Sequence, residues 1–258
     1  MNRKLVFSFY VNENYNDEIN TIHFRCIGHF KDCFDCADIT FILEDKVTCM
    51  VYARQAEQRF LDIFIGKNIQ FSFIDNNEFR ESKVFYDKIA TRLKDEELVF
   101  FAHNKGISNV FKHDRTQIYQ WVTAMYYFSL NYPEEMQKRL VNEKYYCYGS
   151  FLTKNDEPER CNKYGWYYIG TFFWINGKKL YQYMRNNEID LPVMGDRFYD
   201  EEFLGNILQT WPLVMTASRR NKYLVNCGDF YNYATDYTKI AYEEDIEDFN
   251  AFCKGIVL

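Results

Sequence analysis

The sequence predicts an α/β fold in which a mostly parallel central sheet is flanked by helices. Two observations carry that expectation. Short apolar runs alternate with stretches of helical periodicity, and the alternation repeats through the first hundred or so residues. The fourth run, Leu98–Ala102, is continuously apolar, as expected of a parallel strand buried on both faces.

The elements follow in order. Lys4–Tyr10 reads as a first strand that gives way to the polar loop Val11–Asp17. Ile19–Phe34 carries Ile19, Ile22, His23, Cys26, Ile27 and Phe30 at helical spacing. Ala37–Leu43 is a second strand, closed by Glu44 and Asp45. Val47–Ile65 is a helix that Gly66 stops, because glycine accepts the left-handed backbone of a helix end. Ile69–Ile74 is a third strand ending at Asp75, and Arg80–Leu93 a helix leading into the fourth. Further on, Asp114 and Gln117 have capping-box spacing ahead of a helix with Ile118, Trp121, Val122, Met125 and Phe128 in register. Pro133–Val141 is helical, Tyr145–Leu152 and Trp166–Ile175 are strands, and Lys178–Asn186 is a helix. The two strands contain Gly149 and Gly170, which mark a bulge or a close approach of ligand or backbone. Asp200 is placed to cap a helix whose first turn carries Glu201 and Glu202. From Tyr223 the chain turns acidic and tyrosine-rich, the pattern of one or two peripheral elements.

At 258 residues, without a linker or a fixed-period repeat, the chain suits a single domain over 1–258. It divides into a first half over 1–115, a second over 116–222 and a C-terminal appendage over 223–258. A net charge of −6, with lysine and arginine scattered among acids, argues against nucleic acid as a partner. The 24 Phe, 22 Tyr and 4 Trp offer surfaces for stacking on bases or sugars, and a biased composition accounts for them equally well. The apolar run near the N-terminus is too short for a signal core, and no window reaches the roughly 18 residues of a membrane span. The expected location is cytoplasmic, with the eight cysteines reduced. Cys33 and Cys36 have the spacing of a zinc pair, but a second pair is missing, so no metal site is expected there. Neither a Gly-x-Gly-x-x-Gly turn after the first strand nor a P-loop is present.

Chemistry concentrates where Leu98–Ala102 runs into His103-Asn104-Lys105-Gly106, since ligands of open α/β sheets sit beyond the carboxyl ends of the strands. This stretch, the Gly170-Thr171-Phe172-Phe173-Trp174 strand and Arg197 ahead of Glu201 and Glu202 form an ordered set. Over roughly residues 95 to 210 the set resembles bacterial glycosyltransferase-like proteins of polysaccharide-synthesis loci. The resemblance implies the GT-A fold of nucleotide-diphospho-sugar transferases, with a nucleotide-binding half joined to an acceptor-binding half. It also implies transfer from a nucleotide-sugar donor to a glycan or lipid-linked sugar acceptor, and peripheral membrane association through that acceptor. Many GT-A enzymes end the corresponding strand in Asp-x-Asp, which holds a divalent cation on the donor diphosphate. This sequence has no Asp-x-Asp, so no cofactor is expected, although a divalent cation is compatible with other acids. Lys105 would offset the diphosphate charge without a metal, and His103 would contact phosphate or sugar. Glu202 is the candidate base for the acceptor hydroxyl, with Glu201 beside it. Arg197 would contact phosphate. Trp174, Gly170 and Thr171 would border the sugar. Tyr10, Asn12 and Asp75, at strand ends, would hold base and ribose. The competing expectation is a non-catalytic nucleotide-sugar- or glycan-binding protein on a decayed GT-A fold.

Overall fold

The computed structural model describes residues 1–13, 15, 18–104, 115–149, 152–154, 166–168, 171–195, 199–208, 214–216 and 246–257. The first half alternates as the sequence predicts: β1 (Arg3–Val11), α1 (Glu18–His29), β2 (Cys36–Leu43), α2 (Lys46–Ile63), β3 (Asn68–Asp75), α3 (Arg80–Lys88) and β4 (Leu98–His103). Then come α4 (Arg115–Leu130), α5 (Pro133–Asn142), β5 (Cys147–Gly149), β6 (Leu152–Lys154), β7 (Trp166–Tyr168) and β8 (Phe173–Asn176). The last are α6 (Gly177–Asn186), α7 (Tyr199–Ile207), β9 (Val214–Thr216) and α8 (Ile246–Val257). Two predicted helices are shorter than expected: α1 gives way to a 3₁₀ turn at Lys31–Cys33, and α3 to one at Ala90–Arg92.

Among the described residues the main sheet has seven strands in the order β3-β2-β1-β4-β8-β5-β9. All neighbours are parallel except β8, which runs antiparallel to β4 and to β5. Alternate residues of the strands feed two core layers. Leu5, Phe7, Phe9, Phe41, Phe100 and Trp174 pack with residues of α1, α2 and α4, whereas Val6, Ile42, Val99, Phe101, Phe173 and Ile175 pack with residues of α3, α6 and α7. Among the described residues the ten largest fully buried side chains are all aromatic, so much of their aromatic content goes into the core. The second layer also carries a buried charge: Asp38, 1% exposed, lies 3.0 Å from Lys88 of α3. A carboxylate this deep requires such a partner.

Three expectations are corrected. Trp166–Ile175 is not one strand. β7 pairs with β6 in a separate two-stranded sheet, β8 joins the main sheet, and Thr171 turns between them at φ +57°. Asp200 does not cap α7 but lies within its first turn, buried against α3. The last stretch is not wholly peripheral, because Phe249, Phe252 and Ile256 of α8 join the first core layer. There Arg25 of α1 donates to the Ile256 carbonyl at 2.7 Å. Gly149 marks a close approach of backbone rather than ligand: a Cβ there would stand 2.7 Å from Phe173 Cβ and 2.8 Å from the Phe172 carbonyl oxygen.

Candidate functional site

The strand order fixes where a crevice can form. From β1 the chain moves outward through β2 and β3, and α3 then returns it to β4 on the other side of β1. The strand order therefore reverses between β1 and β4, and in α/β sheets a ligand crevice lies at the carboxyl ends of the strands at such a point. His103 ends β4 with Asn104 just past it, and Tyr10 lies near the end of β1 with Asn12 just past it.

Asn104, which sequence reasoning passed over between His103 and Lys105, is held by three side-chain hydrogen bonds. Its Oδ1 accepts from Tyr10 N at 2.7 Å, and its Nδ2 donates to Tyr10 O at 2.8 Å and to Asn20 Oδ1 at 3.0 Å. The side-chain amide thus extends the β1–β4 ladder by one rung. Asn20 in turn donates to the Tyr15 carbonyl at 3.0 Å, tying the loop after β1 to the same point. A polar residue at a strand end was the only signal in the sequence.

His103 is 6% exposed. Its Nδ1 lies 3.5 Å from Glu81 Oε1 in the first turn of α3, and its ring meets Phe172 edge-on at 6.2 Å. Its Nε2 is buried with no hydrogen-bond partner among the described residues. The β4–β8 ladder ends at the Phe101–Phe173 pair, and Thr171 lies two residues ahead of Phe173 at the same edge. Thr171 is fully buried, and its Oγ1 also has no hydrogen-bond partner among the described residues. Arg80, the first residue of α3, holds its guanidinium 5.9 Å from the Tyr10 ring centroid at φ +44°. Positive φ costs a side-chain-bearing residue on the order of 1–3 kcal/mol, and such strain collects at functional sites. Among the described residues, two of the three non-glycine residues with positive φ, Arg80 and Thr171, lie at this edge. Burial and a hydrogen bond to Glu44 push the Tyr10 hydroxyl up to about 12, so Tyr10 is a neutral phenol in ordinary buffers.

Helix α7 closes the neighbourhood. Asp200, 1% exposed, accepts from Ser82 Oγ of α3 at 2.5 Å, while its Oδ2 has no hydrogen-bond partner among the described residues. Burial, with Glu81 and Glu201 nearby, pushes its carboxyl well above the ordinary aspartate range. Native Asp200 therefore keeps its proton where an unfolded aspartate, with a pKa near about 3.9, has lost it. The native state then binds more protons than the unfolded one, and stability falls as pH rises from about 4 through the raised native value. An asparagine keeps the acceptor for Ser82 and carries no charge. D200N is expected to flatten that decline, so that its melting temperature gains on the parent's as pH rises from 5 to 8. Melting curves between pH 5 and 8 check this.

The residues selected from sequence thus divide. Tyr10, Asn12, His103 and Thr171 meet at the carboxyl edge, and Glu201 and buried Glu202 lie on α7, which packs against α3. Asp75 does not join them. It ends the outer strand β3, where its largely exposed carboxylate lies 3.9 Å from Lys46. Trp174 is corrected outright: it is fully buried between Phe34 and Phe100, at 5.6 and 5.2 Å, and donates from Nε1 to the Ser129 carbonyl at 3.0 Å. No face of it is left for a sugar. Lys105, Gly170 and Arg197 lie outside the described residues. Arg80, Glu81, Ser82, Asn104 and Asp200 are the additions.

Among the described residues no three His, Cys, Asp or Glu side chains are grouped to hold a metal, and no helix is long and apolar enough to cross a membrane. The chain is an α/β protein with a mostly parallel central sheet, compatible with the Rossmann-like class. No family model matches it, and no curated protein matches it significantly in sequence.

Proposed function

We propose that this chain is a glycosyltransferase of the GT-A kind, taking a nucleotide-sugar donor in the crevice between the ends of β1 and β4. The observation that carries the reading is the meeting of Tyr10, Asn12, His103 and Thr171 at the point where the strand order reverses. Tyr10 presents an uncharged phenol to base or ribose, with the Arg80 cation beside it for phosphate. In the transfer step the acceptor hydroxyl oxygen bonds to the anomeric carbon as that carbon's bond to the diphosphate oxygen breaks. The nucleoside diphosphate leaves with the electron pair, and the hydroxyl proton passes to a base. His103 suits that task. Glu81 flanks Nδ1 and orients the ring, and Nε2 is left to receive the proton. Glu202, buried on α7, is the second candidate.

The described acids at this edge include Glu44, Glu81, Glu201 and Glu202, and the cation beside Tyr10 is Arg80. A diphosphate needs further positive charge, which the sequence offers at Lys105 and Arg197 or which a divalent cation would bring.

A thermal-shift series with nucleoside diphosphates and nucleotide sugars, with and without Mn²⁺, tests the reading. A true donor at about a hundred times its dissociation constant stabilises by about 2.7 kcal/mol, a rise of several degrees. H103A should abolish release of nucleoside diphosphate while that rise persists. No shift with any nucleotide would overturn the proposal. The alternative, a non-catalytic binder of nucleotide-sugars or glycans, is favoured by Asn104. Where Asp-x-Asp would hold a cation, this amide is spent on bonds to Tyr10 and Asn20. That alternative predicts the same shift with no turnover in the parent protein.

A further inference from the structure

Helix α2 buries one face and leaves an apolar stripe on the other. Cys49, Ala53, Ala56 and Phe60 are its buried residues. On the outer side Val47 is 87% exposed, Val51 56% and Leu61 40%, and Ile65 just past the helix end is 81% exposed. These are four of the six large exposed hydrophobic residues of the described chain. Single exposed aliphatics need no explanation, but several on one helix face do.

Their spacing says what fits. Val47, Val51, Arg54, Gln58, Leu61 and Ile65 follow one another at alternating steps of four and three, the seam of a helix that packs on another helix. The order is also palindromic in character: two aliphatics, two polar residues, two aliphatics. Turned about a twofold axis through the middle of α2, the stripe meets itself in antiparallel register. Val47 then faces Ile65 of the second copy, Val51 faces Leu61, and Arg54 faces Gln58. Charge agrees with this pairing. Arg54 and Glu57 form an ion pair at the centre of the helix, and the twofold brings Arg54 of each copy beside Glu57 of the other. A surface that complements itself in shape and charge is the requirement of a twofold dimer.

We propose that this chain forms a homodimer through antiparallel packing of α2 against α2 of a second copy. The proposal is independent of the chemistry at the carboxyl edge. Light scattering and sedimentation of the full chain at tens of micromolar should give twice the 31.3 kDa chain mass. V51E and L61K should each weaken association by about tenfold or more, by placing a charge against an aliphatic residue. The double variant V51E/L61K should restore the dimer, because the new carboxylate and ammonium face each other across the axis. V47E and I65K repeat the design at the ends of the stripe, and circular dichroism confirms that the exposed substitutions leave the fold intact. A parent protein that stays monomeric, single variants that stay dimeric, or double variants that stay monomeric would each overturn the proposal.

Discussion

Replacing Trp174 by alanine is expected to destabilise the protein by about 3–5 kcal/mol, as for other large aromatic residues removed from a core. The side chain is fully enclosed, stacks on Phe34, lies tilted against Phe100, and donates from its indole N–H to the Ser129 carbonyl. Alanine leaves an aromatic-lined void and takes one donor from the Ser129 carbonyl, and neither loss relaxes easily where strand and helix are packed on all sides. Denaturant titration checks the magnitude. W174F, which fills most of the space and loses the hydrogen bond, should cost less than half as much. A tryptophan that served as a sugar platform would show the reverse pattern, losing ligand affinity and keeping its melting temperature.

N104A is expected to cost about 2–4 kcal/mol and to loosen the loop after β1. Its cost comes from what is left behind: Tyr10 N, Tyr10 O and Asn20 Oδ1 each lose a partner, in a place where Asn20 is 1% exposed. A buried polar group without a partner costs on the order of 1–3 kcal/mol, part of which water recovers at this edge. N104D separates the two directions of bonding. Aspartate still accepts from Tyr10 N but has no donor for Tyr10 O or Asn20, so its loss should approach that of alanine. Amide hydrogen exchange at Val11 and Asn12 provides the local readout, with faster exchange in both variants. If N104A melts like the parent, the side-chain rung does not hold β1 to β4.

Most of the first half was legible in the sequence, because parallel strands covered on both faces write themselves as apolar runs of fixed length. Leu98–Ala102 is of this kind, and Ala37–Leu43 was legible by its alternation and its Ile, Phe and Thr. The same physics misled the reading of Phe173 and Trp174. On a half-exposed strand one of two consecutive aromatics points away from the core. β8 lies between β4 and β5 with a core layer on either side, so Phe173 fills one layer and Trp174 the other. His103 was legible by its place at a strand end. Asp200 was not, because its meaning comes from Ser82, 118 residues earlier, and no local pattern announces a pairing at that distance. Asn104 escaped for a different reason. An amide that imitates backbone looks in sequence like any polar residue in a loop.

The position of α8 has a consequence for the order in which the protein assembles. Phe252 lies against His29 and Phe30 near the start of the chain and against Tyr127 in the middle, and α8 covers α1 and α4 together. Contacts this distant in sequence demand the closing of very long loops, which slows folding. During synthesis α1 leaves the ribosome more than two hundred residues ahead of the helix that will shelter it. Until then the apolar ground shared by α1 and α4 faces solvent or a chaperone, and the nascent chain is most prone to aggregate in that interval. Helix α8, made long after α1 and α4, is the one that covers them.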